Sequence, residues 1–210
     1  MKSPLLLPSA ILLILLLLTA PLPAATTTGH PGSVAVLLGL DSVRNELKLT
    51  KSQCDQLDKI RSNFKADAHL ITTRPPATQV EKSAANSTVK SLINRYNEKA
   101  VAVLTPQQHA RLVQIERQIL GGLMLFQPDE QKLLGLSSSQ IAALGQIRSN
   151  GEAFASRVTN SFEKGNLTLQ ERLATLRNYR IKQSAKCLQV LSPAQRKAFR
   201  SLQGTTLKRA

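Results

Sequence analysis

The chain has 210 residues, and its 28 Lys and Arg against 13 Asp and Glu give a formal charge of +15 at neutral pH. Only 3% of the residues are aromatic, which argues against a single-strand nucleic-acid binder, since such proteins stack bases on aromatic rings. The charge favours acidic protein surfaces, anionic lipid or polyanionic envelope polymers as partners. The alternative is that it mainly keeps a helical surface soluble.

The N-terminus has the features of a secretory signal peptide. Lys2 supplies the positive charge, an apolar run follows over 11–18, and small residues allow cleavage after Ala24 or Ala25. The run is shorter than the roughly 20 residues of a transmembrane helix, although an uncleaved membrane anchor is the alternative. We therefore expect residues 1–25 to be removed and the mature chain to be periplasmic or extracellular, without stable membrane insertion.

After a leader expected to be flexible (26–36), helical periodicity begins. Apolar residues recur at spacings of three and four over 54–71 and again over 89–103, which predicts two helices. Thr78 and Glu81 form a Thr-x-x-Glu capping box at the start of the second helix. A third helix is predicted to follow, ending at the glycines 121 and 122.

The rest of the chain repeats this plan. Apolar residues at helical spacing run over 141–162, Gly165 ends that segment, and Thr168 with Glu171 forms the matching capping box. Short leading helices are expected around 42–47 and 129–134. Because no strand-like alternation competes with these patterns, the predicted fold class is all-α.

A five-residue pattern, Leu-(Thr/Ser)-x-x-Gln, occurs four times. The copies are Leu49–Gln53, Leu104–Gln108, Leu136–Gln140 and Leu191–Gln195. The first two copies are 55 residues apart, as are the last two, and a shift of 87 residues lays one pair on the other. This register without insertions predicts an internal duplication, with units over 37–123 and 124–210.

Taken singly, each copy is a helix-capping box. The Thr or Ser hydroxyl accepts a hydrogen bond from the amide three residues on, while the Gln side chain reaches back to the cap residue. Pro106 and Pro193 occupy the first helical position, where the missing N–H costs nothing. Helices are therefore predicted to begin at Thr50, Thr105, Ser137 and Ser192.

Four copies in this pairing resemble the LTxxQ-motif family of bacterial envelope proteins, the Spy/CpxP-like proteins. Members of that family are small, helical and exported, and two motifs in one chain form a unit that dimerises around a basic concave face. The resemblance implies that each half of this chain corresponds to one family unit and that the two form an intramolecular pseudo-dimer. It also implies an ATP-independent, chaperone-like function in the envelope stress response.

Two alternatives remain open: a regulatory module that docks on the extracytoplasmic domain of a membrane sensor, and a structural binder of anionic envelope polymers. The expected partners are unfolded or acidic envelope proteins or a sensor protein, and no nucleic acid. The candidate client-binding face consists of cations on the long helices, namely Lys59, Arg61, Lys65, Arg95, Arg148, Arg157, Arg172, Arg177 and Arg180. Among these, Arg61 and Arg148 hold equivalent places in the repeat.

No catalytic residue, metal or cofactor is predicted. The chain lacks nucleotide-binding and nucleophile-elbow motifs, and His30, His69 and His109 have no metal-ligand spacing with Cys or carboxylates. Cys54 and Cys187 do not occupy equivalent places in the repeat. A disulfide between them requires the start of one helix to meet the end of another.

Overall fold

A computed structural model describes residues 34–72 and 78–207, so the predicted signal peptide and the leader up to residue 33 lie outside the described residues. In this described part every regular element is a helix, which confirms the all-α prediction. The α-helices are α1 (Val34–Leu37), α2 (Asp41–Glu46), α3 (Lys51–Thr72), α4 (Gln79–Val101), α5 (Pro106–Leu120), α6 (Pro128–Leu133), α7 (Ser138–Glu163), α8 (Leu169–Val190) and α9 (Pro193–Leu202). A 3-10 helix, Gly121–Phe126, joins α5 to α6.

The internal contacts divide the described residues into two compact units after Leu112, within α5. This point lies ahead of the sequence-repeat boundary predicted at 123, because the end of α5 and the 3-10 helix pack with the elements that follow them. The assignment of the repeat to 37–123 and 124–210 is a statement about sequence register and stays a prediction.

The first unit is built on the antiparallel hairpin of α3 and α4. Its core cluster consists of Phe64 and Ala68 from α3 with Leu92 and Tyr96 from α4, and the Phe64 and Tyr96 rings meet edge-on at 5.5 Å. The helix α3 ends at Thr72, and the prolines at 75 and 76, a residue type that cannot continue a helix, lie outside the described residues. Burial of these side chains supplies the main drive for pairing the two helices.

The second unit is built on the hairpin of α7 and α8. Its core is larger, because the apolar 3-10 helix packs against this hairpin and against α9. The fully buried members of that core are Leu125, Leu144, Cys187 and Phe199. Where the first unit has Phe64 and Tyr96, the second has Gly151 and Gln183, and a Cβ on Gly151 would lie 2.1 Å from Gln183 Nε2.

The helix starts follow the 87-residue repeat. Helices α2, α3 and α5 begin at 41, 51 and 106, and α6, α7 and α9 begin 87 residues later in each case, at 128, 138 and 193. The four helices that follow the motifs therefore begin within one residue of the predicted positions. The short leading helices, predicted around 42–47 and 129–134, are also confirmed.

One part of the sequence prediction is wrong. The leader was expected to be flexible through residue 36, but Val34 is buried in α1, and its amide donates to Asn97 Oδ1 at 3.0 Å. The physical reason is the apolar run from Val34 to Leu38, which the first unit buries. The α1 segment is thus the counterpart of the 3-10 helix, which begins 87 residues later.

The turn before the first motif contains a strained residue. Lys48 has a φ of 50°, whereas its counterpart 87 residues later is Gly135 with a φ of 59°. Both follow the C-cap of a short helix, where a left-handed residue ends the helix and turns the chain. An L-residue pays a steric cost in this conformation that glycine avoids.

We expect Lys48→Gly to raise the free energy of unfolding by about 0.5–1 kcal/mol, because the backbone strain is relieved. The matched control is Gly135→Ala, whose new Cβ has nothing within 4 Å and which should lower stability by about 1 kcal/mol through backbone strain alone. Denaturant unfolding followed by circular dichroism measures both. Destabilisation by Lys48→Gly would contradict the assignment of strain.

Candidate functional site

The first unit is closed by a reciprocal pair of glutamines. Gln53 Nε2 donates to Gln108 Oε1 at 2.7 Å, and Gln108 Nε2 donates back to Gln53 Oε1 at 3.2 Å. Gln53 Nε2 also donates to the carbonyl of Val103 at 2.9 Å, and Gln108 Nε2 to the carbonyl of Leu47 at 3.2 Å. Each glutamine thus ties the start of its own helix to the turn before the other helix.

The second unit repeats this arrangement. Gln140 and Gln195 exchange hydrogen bonds of 2.7 and 3.2 Å. Gln140 Nε2 donates to the carbonyl of Val190 at 2.9 Å, and Gln195 Nε2 to the carbonyl of Leu134 at 3.3 Å. We call each pair of motif glutamines a glutamine clasp.

The same side chains also cap the helices, as the sequence predicts. The oxygens of Gln53 and Gln108 accept from the amides of Thr50 and Thr105 at 3.0 and 2.9 Å. In the second unit, complete capping boxes join Ser137 to Gln140 and Ser192 to Gln195. In each box the glutamine lies three residues after the cap residue, as in the first unit.

Capping and pairing together use all the hydrogen-bond donors and acceptors of each glutamine side-chain amide. Each motif glutamine accepts two hydrogen bonds, one from its cap residue and one from its partner, and donates at least two more. A glutamate cannot replace it, because an ionised carboxylate has acceptors only. The capping role was predicted, but the pairing of glutamines 55 residues apart was not.

In the first unit, two of the four predicted cations, Arg61 and Arg95, are paired with carboxylates. Arg44 and Arg61 both form salt bridges with Asp58, at 2.6 and 3.0 Å. Hydrogen bonding from Arg44 is the main cause that holds the pKa of Asp58 below its usual value. Arg95 forms a salt bridge with Asp67 at 2.7 Å. Only Lys59 and Lys65 of the candidate set are exposed here without a salt bridge in the described residues.

In the second unit three of the five predicted cations, Arg148, Arg157 and Arg172, lie near aromatic rings. Arg148 donates to the carbonyl of Phe126 and sits 4.9 Å from the centre of its ring. Burial lowers the pKa of Arg148, and likewise that of Arg180. Arg61 and Arg148, which hold equivalent places in the repeat, are thus each held by contacts within their own unit.

Arg172 does not fit the predicted client-binding face. Its side chain is only 4% exposed and packs over the ring of Phe162 at 4.9 Å, because it lies on the buried side of α8. Arg157 and Arg177 are exposed on α7 and α8, and Arg157 lies 5.9 Å from the ring of Phe154. The structure therefore does not bring all nine predicted cations to one surface.

The two cysteines are both free, with Cys187 buried and Cys54 half-buried. Over residues 34–72 and 78–207, no three His, Cys, Asp or Glu side chains are placed to hold a metal ion. His30, one of the three histidines considered, lies outside the described residues. None of the described helices is long and apolar enough to cross a bilayer.

No protein-family model, curated protein or solved structure matches this chain. The resemblance to the LTxxQ-motif family therefore rests on the motifs, the helical pattern and the charge, and membership of that family stays a prediction.

Removing a clasp glutamine should cost more than removing a cap alone. We expect Gln53→Ala to lower the free energy of unfolding by about 2–3 kcal/mol, since a cap and three long-range hydrogen bonds are lost together. Combining it with Gln108→Ala should cost less than the sum of the two single changes, because both remove the same pair. Denaturant unfolding of the three variants measures the coupling.

Gln56→Ala is the matched control, because Gln56 lies on the same helix, is exposed, and bonds only locally to Ser52 at 3.3 Å. Its effect should stay within about 0.5 kcal/mol. Additive losses at Gln53 and Gln108 would show that the clasp contributes no more than two separate caps.

The buried thiol makes stability depend on pH in the alkaline range. Burial raises the pKa of Cys187 from 9.0 to about 12, so the folded state disfavours the thiolate. Its contribution to stability is complete below pH 9 and is lost as pH rises from 9 towards 12. In the first unit the equivalent residue is Ala100. The substitution Cys187→Ala should therefore remove the part of the alkaline loss of stability that the thiol causes. Thermal unfolding of both proteins between pH 7 and about 11 tests it, and equal slopes would contradict it.

Proposed function

We propose that this chain is an exported, non-enzymatic binding protein of the Spy/CpxP-like kind, which holds partly unfolded envelope proteins without ATP. The observation that supports this best is the pairing of motifs inside each unit. Gln53 meets Gln108, and Gln140 meets Gln195, as expected if each unit corresponds to one two-motif family unit. Localisation in the periplasm and the pseudo-dimer arrangement of the units are part of this proposal.

The surface chemistry is consistent with weak, reversible capture of polypeptides. The repeat over 124–210 carries 14 Lys and Arg against 5 Asp and Glu, an excess of nine positive charges. Large apolar side chains are exposed in both units, with Leu70 at 72% and Val80 at 79% in the first, and Ile181, which precedes Lys182, at 64% in the second. Charge accelerates the encounter with an acidic client, and small apolar contacts prolong it.

The mature protein should suppress the aggregation of two unrelated clients, one acidic and one basic, with no requirement for ATP. Light scattering of each client on thermal unfolding, with and without the protein, measures this at low and at moderate salt. Suppression of the acidic client should weaken as salt rises, because exposed charges are screened over about 10 Å at 0.1 M salt.

A basic protein that is not a chaperone, such as lysozyme, serves as the control for nonspecific electrostatic effects. Absence of suppression for both clients would overturn the holdase proposal. Binding of one envelope partner in a fixed ratio, without suppression, would instead favour the regulatory alternative.

A further inference from the structure

One position of the repeat carries a carboxylate in the first hairpin, Asp67, and an aromatic ring in the second, Phe154. In the first unit, Asp67 of α3 accepts hydrogen bonds from Arg95 at 2.7 Å and from the Tyr96 hydroxyl at 2.8 Å. Arg95 and Lys99 also lie over the Tyr96 ring, 5.2 and 5.0 Å from its centre. A carboxylate of the unit itself therefore offsets one of the two cations, Arg95, on this side of the α3–α4 hairpin.

The carboxylate is missing at the corresponding place in the second unit. A shift of 87 residues replaces Asp67 with Phe154, Arg95 with Lys182 and Lys99 with Lys186. Phe154 stacks on Tyr179 of α8, with ring centres 4.0 Å apart and an interplanar angle of 10°. Arg157, one turn along α7, has its guanidinium 5.9 Å from the Phe154 ring.

These side chains share one side of the α7–α8 hairpin. Tyr179, Lys182 and Lys186 are spaced i, i+3 and i+7 on α8, which places them on the same face as the aromatic stack. Lys182, Lys186 and Arg157 are exposed, and none of the three is in a salt bridge within the described part of the chain. We call this surface the cationic flank: Phe154, Arg157, Tyr179, Lys182 and Lys186.

We propose that the cationic flank binds extended acidic segments of client polypeptides, and that the matching side of the first unit does not. The inference rests on the proposed function. It adds which surface contacts the client and which kind of client segment that surface binds. Cations one helical turn apart are spaced about 5–6 Å, close to the roughly 7 Å between alternate residues of an extended chain. Client carboxylates can therefore meet successive cations while apolar groups lie on the Phe154–Tyr179 stack. That apolar contact favours a polypeptide over a simple polyanion.

The test compares two charge reversals of equal size in the second unit. Arg157→Glu with Lys182→Glu changes the cationic flank, while Arg196→Glu with Lys197→Glu changes exposed residues elsewhere in the same unit. Arg196 and Lys197 lie on α9, outside the α7–α8 hairpin that carries the cationic flank. Both pairs change the net charge by the same amount. A difference in client binding between the two variants therefore depends on where the reversed charges lie.

The probe is reduced, carboxymethylated α-lactalbumin, an acidic polypeptide that stays unfolded, with binding to the mature protein followed by fluorescence anisotropy at low salt. We expect the flank pair to weaken binding about ten-fold and the control pair by about two-fold or less. A third variant, Phe154→Asp, restores the carboxylate of the first unit and should also weaken binding, because it can pair with Lys182. Because the reversed cations are exposed, the flank pair tests the proposal even if Phe154→Asp fails to fold.

Equal losses in the two pairs would overturn the inference and leave net charge as the cause, without affecting the proposed function. Wild-type protein that suppresses aggregation yet does not bind the acidic probe would also overturn it. Binding to phosphatidylglycerol vesicles but not to the polypeptide, with the same flank dependence, would show that the partner class is wrong. Failure of the wild type in both the aggregation and binding assays would reject the proposed function itself.

Discussion

The fold of each unit depends on two side-chain amides that bond to one another. A glutamine amide has two donor hydrogens and two acceptor lone pairs, and the clasp uses all four on each side chain. One acceptor caps the helix that carries the glutamine, and the remaining groups tie that helix to the start of the other, 55 residues away. Because these amides are half-buried, an unmatched partner would leave polar atoms without hydrogen bonds in a poorly solvated place. This constraint links the helix starts of a unit more closely than apolar packing, which has no preferred direction.

With the helix starts held in this way, the hairpins between them have diverged. The Phe64–Tyr96 pair of the first unit is replaced by Gly151 and Gln183 in the second, where Gln183 donates to the carbonyl of Ile147 at 3.0 Å. The Asp67 carboxylate is replaced by Phe154, which stacks on Tyr179. The described arginines of the first unit therefore find their counter-charge within the unit, while the exposed cations of the α7–α8 hairpin are left for solvent or a partner. The two units share the spacing of their helix starts and differ in surface charge.

Local signals account for the parts of the fold that were predicted correctly. Apolar spacing of three and four, Ser and Thr caps, and proline at the first helical position all act within one or two turns of chain, so they can be read without the tertiary structure. They placed the helix starts within one residue and identified the capping role of Gln140 and Gln195. The same reasoning misjudged Val34, because whether an apolar run near a chain end is buried depends on the partner that covers it, here Asn97 and its neighbours.

The sequence by itself determined the helical class, the 87-residue register and the caps, because each follows from residue types at short spacing or from self-similarity along the chain. The tertiary structure decided which Lys and Arg side chains are exposed and free to contact a partner. Arg172 and Arg157 are both arginines on long helices, yet one is 4% exposed and the other lies on the surface. Burial and ion pairing depend on residues distant in sequence: Asp67 neutralises Arg95 across 28 positions, and the glutamines of a clasp meet across 55. Such long-range contacts have no local pattern, so only the packed helices show which charged side chains a partner could reach.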